Sequence, residues 1–389
     1  MTYSWFNAKH KAMVVGLALA LCNAAVAAPT DQDVVKGYGQ LVYANYTDSV
    51  IAAQKLQSSI DAFLKAPSEA GLEAAKKAWL NAREFYGQTE AFRFYGGPID
   101  DENGPEGQIN AWPMDESYVD YVQGNARSGF INNPKFKITR DALIEENERG
   151  GEENIATGWH AIEFLLWGQD LNENGPGNRP YTDYVKGKGQ NAERRAAYLR
   201  EITALLIHDL ETVQSAWAPK RTDNFRASFE KGGKESIRKI LVGLGSLSRG
   251  ELAGERLEVA LFSQDQEDEH SCFSDNTHRD AVTNAQGILN VWTGTYKQAD
   301  GAVLKVPSLA ELVGARAPEV AKKTTQQIQN SVKAASAIQA PFDREIIGGA
   351  NAPGPQRVKA TVDSLVEQST LLVESANAIG ITQLTLTLP

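Results

Sequence analysis

The sequence predicts an all-α protein built from two helical bundles of the four-helix type, related by internal duplication. Apolar residues recur at helical spacing along most of the 389 residues, and no stretch shows the sustained period-two alternation of a sheet. Ten residues from Ala161, AIEFLLWGQD, also align with RLEVALFSQD from Arg256, with four identities. This short repeat, together with the chain length, predicts two related halves with a site at their interface.

The N-terminus has the features of a secretory signal peptide over 1–27. Lys9 and Lys11 precede a short apolar stretch, and Ala25-Val26-Ala27 forms a small-x-small cleavage pattern. A lipoprotein signal centred on Cys22 is the alternative, although a leucine stands where such signals carry a small residue. No later stretch approaches the ~18 apolar residues of a membrane span, so we expect no transmembrane segment in the mature chain.

The helices can be placed in order from their caps and apolar faces. The first begins at Thr30, which forms a capping box with Asp33, and runs to Lys65. The second follows Ser68, and its apolar residues recur on one face. The residues of that face are Leu72, Ala75, Trp79, Ala82 and Phe92. Later apolar repeats predict long helices over 192–217, 234–261, 276–296, 308–337 and 356–378.

Two loops rich in glycine, proline and acidic residues interrupt the helices, over 96–110 and 172–180. Loops of this length in a compact helical protein are uncommon and often form binding sites. We place the boundary between the halves after the second loop. The N-terminal bundle then covers 28–190, and the C-terminal bundle covers 191–389.

Charge and cysteine content exclude several classes of function. The net charge is -10, and loss of Lys9 and Lys11 with the signal peptide takes it to about -12. A chain this acidic is not expected to bind nucleic acid. Because Cys22 leaves with the signal peptide, Cys272 is alone and no internal disulfide can form. We interpret Cys272 as an apolar core filler rather than a reactive thiol.

Potential ligands concentrate in two segments, over 158–171 and 250–277. The first, GWHAIEFLLWGQDL, places His160 and Glu163 three residues apart on one face of a helix. The second adds a larger set: Glu255, Glu258, His270, Ser271 and Asp275. Imidazole and carboxylate together suit zinc, iron(II) or manganese. The alternative is a buried histidine that a neighbouring glutamate satisfies without an ion.

Common hydrolase signatures are missing from the sequence. H-E-x-x-H does not occur, and the inverted H-x-x-E-H fails because Phe164 takes the place of the second histidine. No G-x-S-x-G elbow surrounds Ser271 or Ser274, and no general base is obvious. A polar set on the second helix could reach the same cleft, namely Arg83, Tyr86, Glu90 and Arg93.

At these residues the chain resembles the imelysin family. The family's G-x-H-x-x-E element corresponds to Gly158, His160 and Glu163. Further blocks agree in the same order along nearly the whole mature chain: FRFYGGPIDDENGPEGQINAWPMDESYVDYV from Phe92, GELAGERLEVAL from Gly250, DQEDEHSCFSDNTHRD from Asp265 and PFDREI from Pro341. The blocks are most similar to the iron-regulated protein A branch of the family.

The resemblance implies two helical bundles related by duplication, export to the periplasm or outer membrane, and a role tied to iron uptake. Metallopeptidase activity is the label that the family carries. By matching position, the resemblance also places the site at His160 and Glu163. To this pair we add Glu90, Arg93, His270, Ser271 and Asp275.

We therefore expect an exported cell-envelope protein that binds a metal ion, iron or else zinc, or an iron-bearing small ligand. His160 and Glu163 are the expected metal ligands, and envelope iron-transport components are the expected partners. Two alternatives stay open. One is a zinc-dependent endopeptidase that uses the same pair, and the other is a polysaccharide-binding module that uses Arg83, Arg93 and Trp112.

Overall fold

The computed structural model describes residues 1–2, 28–172 and 174–386. The described chain is mostly helical, which confirms the predicted class. The predicted signal-peptide features and Cys22 fall within 3–27, outside the described residues. Within the described ranges, no helix is both long enough and apolar enough to cross a membrane.

The bounds of the elements are as follows. The α-helices are α1 (Asp31–Lys65), α2 (Glu69–Thr89), α3 (Glu106–Ile109), α4 (Glu116–Val119), α5 (Gly129–Asn132), α6 (Arg140–Glu146), α7 (Gly158–Trp167), α8 (Ala192–Ala216), α9 (Phe225–Lys231), α10 (Lys234–Ser246), α11 (Val259–Ser263), α12 (Thr277–Thr293), α13 (Leu309–Gly314), α14 (Pro318–Ala335), α15 (Asp343–Ile346) and α16 (Pro353–Ala378). Short 3₁₀ turns lie at Glu90–Phe92, Tyr181–Tyr184, Gln266–Asp268 and Cys272–Ser274.

The first two helices begin where their caps predict. The Thr30 side chain accepts from the Asp33 backbone N–H, and the Asp33 carboxylate accepts in return from the Thr30 N–H, so the capping box is complete. The Ser68 side chain accepts from the backbone N–H of Gly71 at the start of α2. The predicted apolar face of α2 is buried throughout.

A π-helical segment, Leu247–Glu258, joins α10 to α11 without a break. A π-helix holds more residues per turn than an α-helix, so side chains along it rotate out of α-helical register. Leu252 and Leu257 of this segment are fully buried. The segment therefore carries its polar residues in directions that α-helical spacing does not predict.

The long helices pack against one another around a continuous core. Helix α1 packs along α2 and α8, α2 also packs on α12, and α12 packs on α14. Helix α16 completes this arrangement against α14 and the π-helical segment. The contact between α2 and α12 is close at Gly87, where a Cβ atom would overlap the Thr283 side chain. Only glycine fits there without a shift of the two helices.

The chain departs from the predicted helices at two places. A short antiparallel hairpin follows α12, with β1 (Thr295–Lys297) paired to β2 (Val303–Lys305) and Tyr296 opposite Leu304. Strands of three residues are too short to produce a recognisable period-two pattern. The helix predicted over 308–337 is divided into α13 and α14, because Pro318 starts a new helix at the position that proline favours.

Candidate functional site

Two histidines from distant parts of the chain meet in the interior. His160 lies in α7, and His270 lies in the loop before the Cys272–Ser274 turn. Their ring centroids are 4.7 Å apart, and the ring planes make an angle of 77°. Each residue is only 1% exposed. We call His160 and His270 the histidine pair.

Local constraints fix the start of α7. Gly158 has φ +84°, and a Cβ atom there would lie 2.5 Å from the carbonyl oxygen of Ile109. A side chain is therefore excluded both by the backbone conformation and by the neighbouring loop. Farther along α7, the Trp159 carbonyl accepts a hydrogen bond from the indole N–H of Trp79 on α2, at 3.1 Å. The glycine of the G-x-H-x-x-E element thus lets α7 approach its neighbours.

Glu163 holds the first imidazole. Its Oε2 atom is hydrogen-bonded to His160 Nδ1 at 2.9 Å. Its other oxygen, Oε1, accepts from the backbone N–H of Ser274 at 3.0 Å and from the Ser274 hydroxyl at 2.6 Å. Glu163 therefore joins α7 to the turn that follows His270.

Asp280 of α12 holds the second imidazole. Its Oδ2 atom is hydrogen-bonded to His270 Nδ1 at 2.8 Å and accepts from the Ser271 hydroxyl at 2.5 Å. Its Oδ1 atom accepts from Arg83 Nη2 at 2.9 Å, and Arg83 Nη1 donates to Asn110 Oδ1 at 2.6 Å. Both imidazoles are thus oriented by a buried carboxylate, each on the Nδ1 side.

The Nε2 atoms of the histidine pair are buried and, within the described chain, unpaired. Neither His160 Nε2 nor His270 Nε2 has a hydrogen-bond partner among the residues that the structure describes. Buried polar atoms without partners are rare in folded proteins. When Nδ1 donates to a carboxylate, Nε2 carries the lone pair that can bind a metal ion, which is the usual arrangement around metal-binding histidines.

Burial and nearby charges set the ionisation of these groups. Burial and then the Arg83 charge hold the pKa of His160 well below its ordinary value, and burial and Arg256 lower the pKa of His270 to about 3. Both rings are therefore neutral near pH 7. Although burial opposes it, Arg83 and the hydrogen-bonded His270 hold the pKa of Asp280 well below its ordinary value. Burial raises the pKa of Glu163 to about 8.

A second polar network adjoins the histidine pair. Glu90 Oε2 accepts from Arg93 Nη1 and from Arg256 Nη2, both at 2.7 Å. Arg256 Nη2 also donates to Glu251 Oε1 at 2.8 Å, and Arg93 Nη2 lies 3.0 Å from Glu106 Oε1. Glu90 Oε1 accepts no hydrogen bond from any described residue. This network brings the predicted residues Glu90 and Arg93 close to the histidine pair, since Arg256, which donates to Glu90, also lowers the pKa of His270.

The two networks together carry excess negative charge. Their carboxylates belong to Glu90, Glu106, Glu163, Glu251 and Asp280, and their guanidinium groups to Arg83, Arg93 and Arg256. Near pH 7 Glu163 is mostly protonated, because its pKa is about 8, and the remaining four carboxylates exceed the three guanidinium groups by one negative charge. Release of the Glu163 proton on cation binding raises this excess to two. One divalent cation would neutralise that excess.

Trp112, two residues after the first predicted loop, covers one side of His270. Its ring meets the His270 ring edge to face, with centroids 5.6 Å apart. Trp112 itself is partly exposed, whereas His270 is buried. Trp112 therefore separates His270 from solvent on this side.

Other predicted site residues lie outside this cluster. Glu258 is exposed, with Oε2 3.5 Å from Arg249 Nη1, and Glu255 is half-buried. Both belong to the π-helical segment, whose rotation directs Glu251 and Arg256 to the site instead. Asp275 is buried, but its carboxylate lies with those of Asp170 and Asp343.

Several residues of the site were not predicted from the sequence. Asp280 lies ten positions after His270, Ser274 binds a glutamate on another helix, and Arg256 bonds a glutamate from α2. None of these pairs has a local spacing that marks it. The one usable signal was the block DQEDEHSCFSDNTHRD, which contains both Ser274 and Asp280.

Comparisons with known proteins agree with this architecture. The family model described as imelysin matches residues 42–372. Iron-regulated protein A of Synechococcus elongatus is 26% identical over 361 residues, covering 88% of this chain and 87% of its own. Two solved structures share the fold. One, described as an iron-regulated protein A precursor from Parabacteroides distasonis, has a TM-score of 0.69 at 16% identity, covering 91% of this chain and 97% of its own. The other, an imelysin-like protein from Psychrobacter arcticum, has a TM-score of 0.64 at 15% identity, covering 92% and 98%.

Proposed function

The chain belongs to the imelysin family, and from this premise we propose that it is an exported cell-envelope protein that binds iron(II) as cargo during iron acquisition. The name of the Synechococcus relative, iron-regulated protein A, supports the link to iron. The ion, or a small iron-bearing ligand, would bind at the histidine pair. Envelope iron-transport components would deliver or receive it.

The observation that carries this proposal is the state of the two imidazoles. Both are buried, both are fixed through Nδ1 by a carboxylate, and neither Nε2 atom has a partner among the described residues. A structural histidine would use both nitrogens. Two oriented nitrogen donors with acidic surroundings suit iron(II) or zinc.

The remaining coordination would be open. Two imidazole nitrogens alone do not complete the shell of either metal, so water or a small anion would supply the rest. A site with few protein ligands can release its ion, which fits cargo better than a permanent cofactor. In this proposal Glu163, which the sequence predicts as a direct ligand, orients His160 through their hydrogen bond.

We also propose the two halves and the export pathway predicted from the sequence. The N-terminal half, 28–190, would supply His160, and the C-terminal half, 191–389, would supply His270. A site built from both halves agrees with an origin by duplication. The N-terminal Lys9 and Lys11, the apolar stretch and Ala25-Val26-Ala27 support a signal peptide.

Binding is favoured over the two alternatives. A zinc endopeptidase must admit a peptide substrate to its metal, but both imidazoles are only 1% exposed and the Glu163 and Asp280 carboxylates are engaged with them. A polysaccharide-binding module would present Arg83 and Arg93 on a surface. Both guanidinium groups are instead buried in ion pairs, Arg83 with Asp280 and Arg93 with Glu90.

Calorimetry of the purified mature chain with iron(II), under anaerobic conditions, tests the proposal. We expect about one ion per chain, with binding abolished by His160→Ala and by His270→Ala. His208→Ala is the matched control because His208 is exposed on α8, and it should leave binding unchanged. Circular dichroism would verify that each variant folds.

Two results would overturn the proposal. One is the lack of binding by the wild-type chain to either iron(II) or zinc. The other is full binding by a folded His270→Ala variant. Elemental analysis of protein purified without chelators or affinity metals would identify the ion that the chain retains.

A further inference from the structure

A second group of carboxylates lies beside the turn that carries Ser274. Asp170 follows α7, Asp275 follows the turn, and Asp343 begins α15. One oxygen of each lies within 4.8 Å of the other two, and no residue of the three is more than 4% exposed. In the part of the chain that the structure describes, this is the one group of three or more such ligand side chains. We call it the aspartate cluster.

Two members of the cluster have carboxylate oxygens without a hydrogen-bond partner in the described chain. Neither carboxylate oxygen of Asp275 accepts from any residue within 28–172 or 174–386, and the same holds for Asp170 Oδ2. The other oxygen of Asp170 accepts from the Asn172 backbone N–H at 2.9 Å. Burial of a carboxylate without donors or an opposite charge is strongly unfavourable. Asp275 therefore needs a partner that the described side chains do not supply.

The charges that act on the cluster are negative. Burial, followed by Asp343 and Asp170, raises the pKa of Asp275 to about 8. Burial and Asp343 likewise raise the pKa of Asp170 to about 7. No lysine or arginine of the described chain is among the groups that shift these two pKa values. A bound cation would remove this repulsion.

The cluster is open to solvent on one side. A cavity of about 570 Å³ has Asp170 and Asp343 in its wall, together with Glu267. An ion can therefore approach Asp170 and Asp343 from this cavity, whose wall does not include Asp275.

We propose that Asp170, Asp275 and Asp343 bind a hard divalent cation, and that calcium fits best. The three ligands are all carboxylate oxygens, which favour hard ions over iron(II) or zinc. Calcium binds oxygen at about 2.3–2.6 Å, so ligand atoms on opposite sides of one ion lie up to about 5 Å apart, which agrees with the observed spacing. Magnesium requires shorter distances and a stricter geometry.

The ion would have a structural effect on the neighbouring site. It would join the segment after α7, the Cys272–Ser274 turn and α15 at one point. Asp275 directly follows Ser274, whose N–H and hydroxyl orient Glu163. The inference goes beyond the proposed iron(II) site and does not depend on it.

Thermal unfolding of the mature chain tests the proposal. After treatment with a chelator and its removal, the protein is melted with and without 10 mM calcium chloride, at ionic strength matched with sodium chloride. We expect calcium to raise the Tm by about 3–5 °C if it reaches about a hundredfold above its Kd. Asp275→Asn should abolish this rise. Without calcium, the same variant should melt above the wild type, because it relieves the repulsion.

Three further variants make the test specific. If Asp275→Asn does not fold, Asp170→Asn takes its place in the same experiment. Asp209→Asn removes another buried carboxylate, far from the cluster in sequence on α8, and should keep the full calcium response. His160→Ala should also keep it, which separates this site from the iron(II) site. The proposal is overturned if 10 mM calcium does not raise the wild-type Tm, or if Asp275→Asn responds as the wild type does.

Discussion

Metal binding at the histidine pair should displace one proton, and that proton should come from Glu163. The pKa of Glu163 is about 8 because its carboxyl group is buried. At pH 7 about nine-tenths of the metal-free protein therefore carries a proton on Glu163. A cation on His160 Nε2 favours the ionised carboxylate behind the ring, so binding must expel that proton.

The size of the change in metal affinity with pH follows from the pKa of Glu163. Apparent affinity for zinc should rise about tenfold from pH 6 to 7, about fivefold from pH 7 to 8, and less than about twofold from pH 8 to 9. The histidines do not contribute to this rise, because the pKa of His270 is about 3 and that of His160 lies well below its ordinary value. Zinc is the suitable probe because it has no redox chemistry.

Glu163→Gln isolates the effect. The amide cannot release a proton, so the affinity of this variant should be flat between pH 6 and 8. At pH 8 it should lie about 10- to 100-fold below the wild type, because the group that orients His160 has lost its charge. Glu258→Gln, the same change at an exposed glutamate, should reproduce the wild-type profile.

Calorimetry in buffers of different ionisation enthalpy measures both the affinity and the protons released. The wild type should release about 0.9 proton per zinc ion at pH 7, and Glu163→Gln close to none. Equal wild-type affinities at pH 6 and pH 8 would refute this reasoning. A Glu163→Gln variant with the wild-type slope would refute it as well.

Three further predictions concern stability. Gly87→Ala should lower the free energy of unfolding in urea by about 1–3 kcal/mol, because it forces α2 and α12 apart, whereas Gly314→Ala, which meets only ordinary contacts, should not be destabilising. Asp209→Asn should stabilise the fold by about 2 kcal/mol more at pH 8.5 than at pH 5. Burial raises the pKa of Asp209 to about 7, so the wild type loses stability as the pH rises from the ordinary pKa of a carboxyl group to about 7, and equal effects at both pH values would contradict this. Asp280→Asn leaves a buried guanidinium unpaired and should cost about 3–5 kcal/mol in urea unfolding, against about 0–1 kcal/mol for Glu84→Gln in an exposed ion pair.

The helices were predictable where local chemistry determines them. Thr30 and Asp33 form the capping box that their spacing predicts, and Ser68 caps α2. These signals depend on hydrogen bonds between residues three positions apart, so the sequence contains all of the necessary information. The hairpin after α12 was missed because its pairing depends on contacts between two very short segments.

The site was predictable only in part. His160 and Glu163 lie on one helical turn, and their contact follows from α-helical spacing. Asp280 reaches His270 through tertiary folding, so no local pattern identifies it. Glu258 lies in a π-helical segment, where α-helical spacing does not predict the direction in which a side chain points.

The burial of Cys272 has a practical consequence. Burial raises the pKa of this thiol well above its ordinary value, and the residue is only 7% exposed. The Cys272 thiol should therefore resist alkylating reagents and disulfide formation in the native fold. The rate at which a thiol reagent labels Cys272 would therefore report how often the Cys272–Ser274 turn, which contacts Glu163, opens.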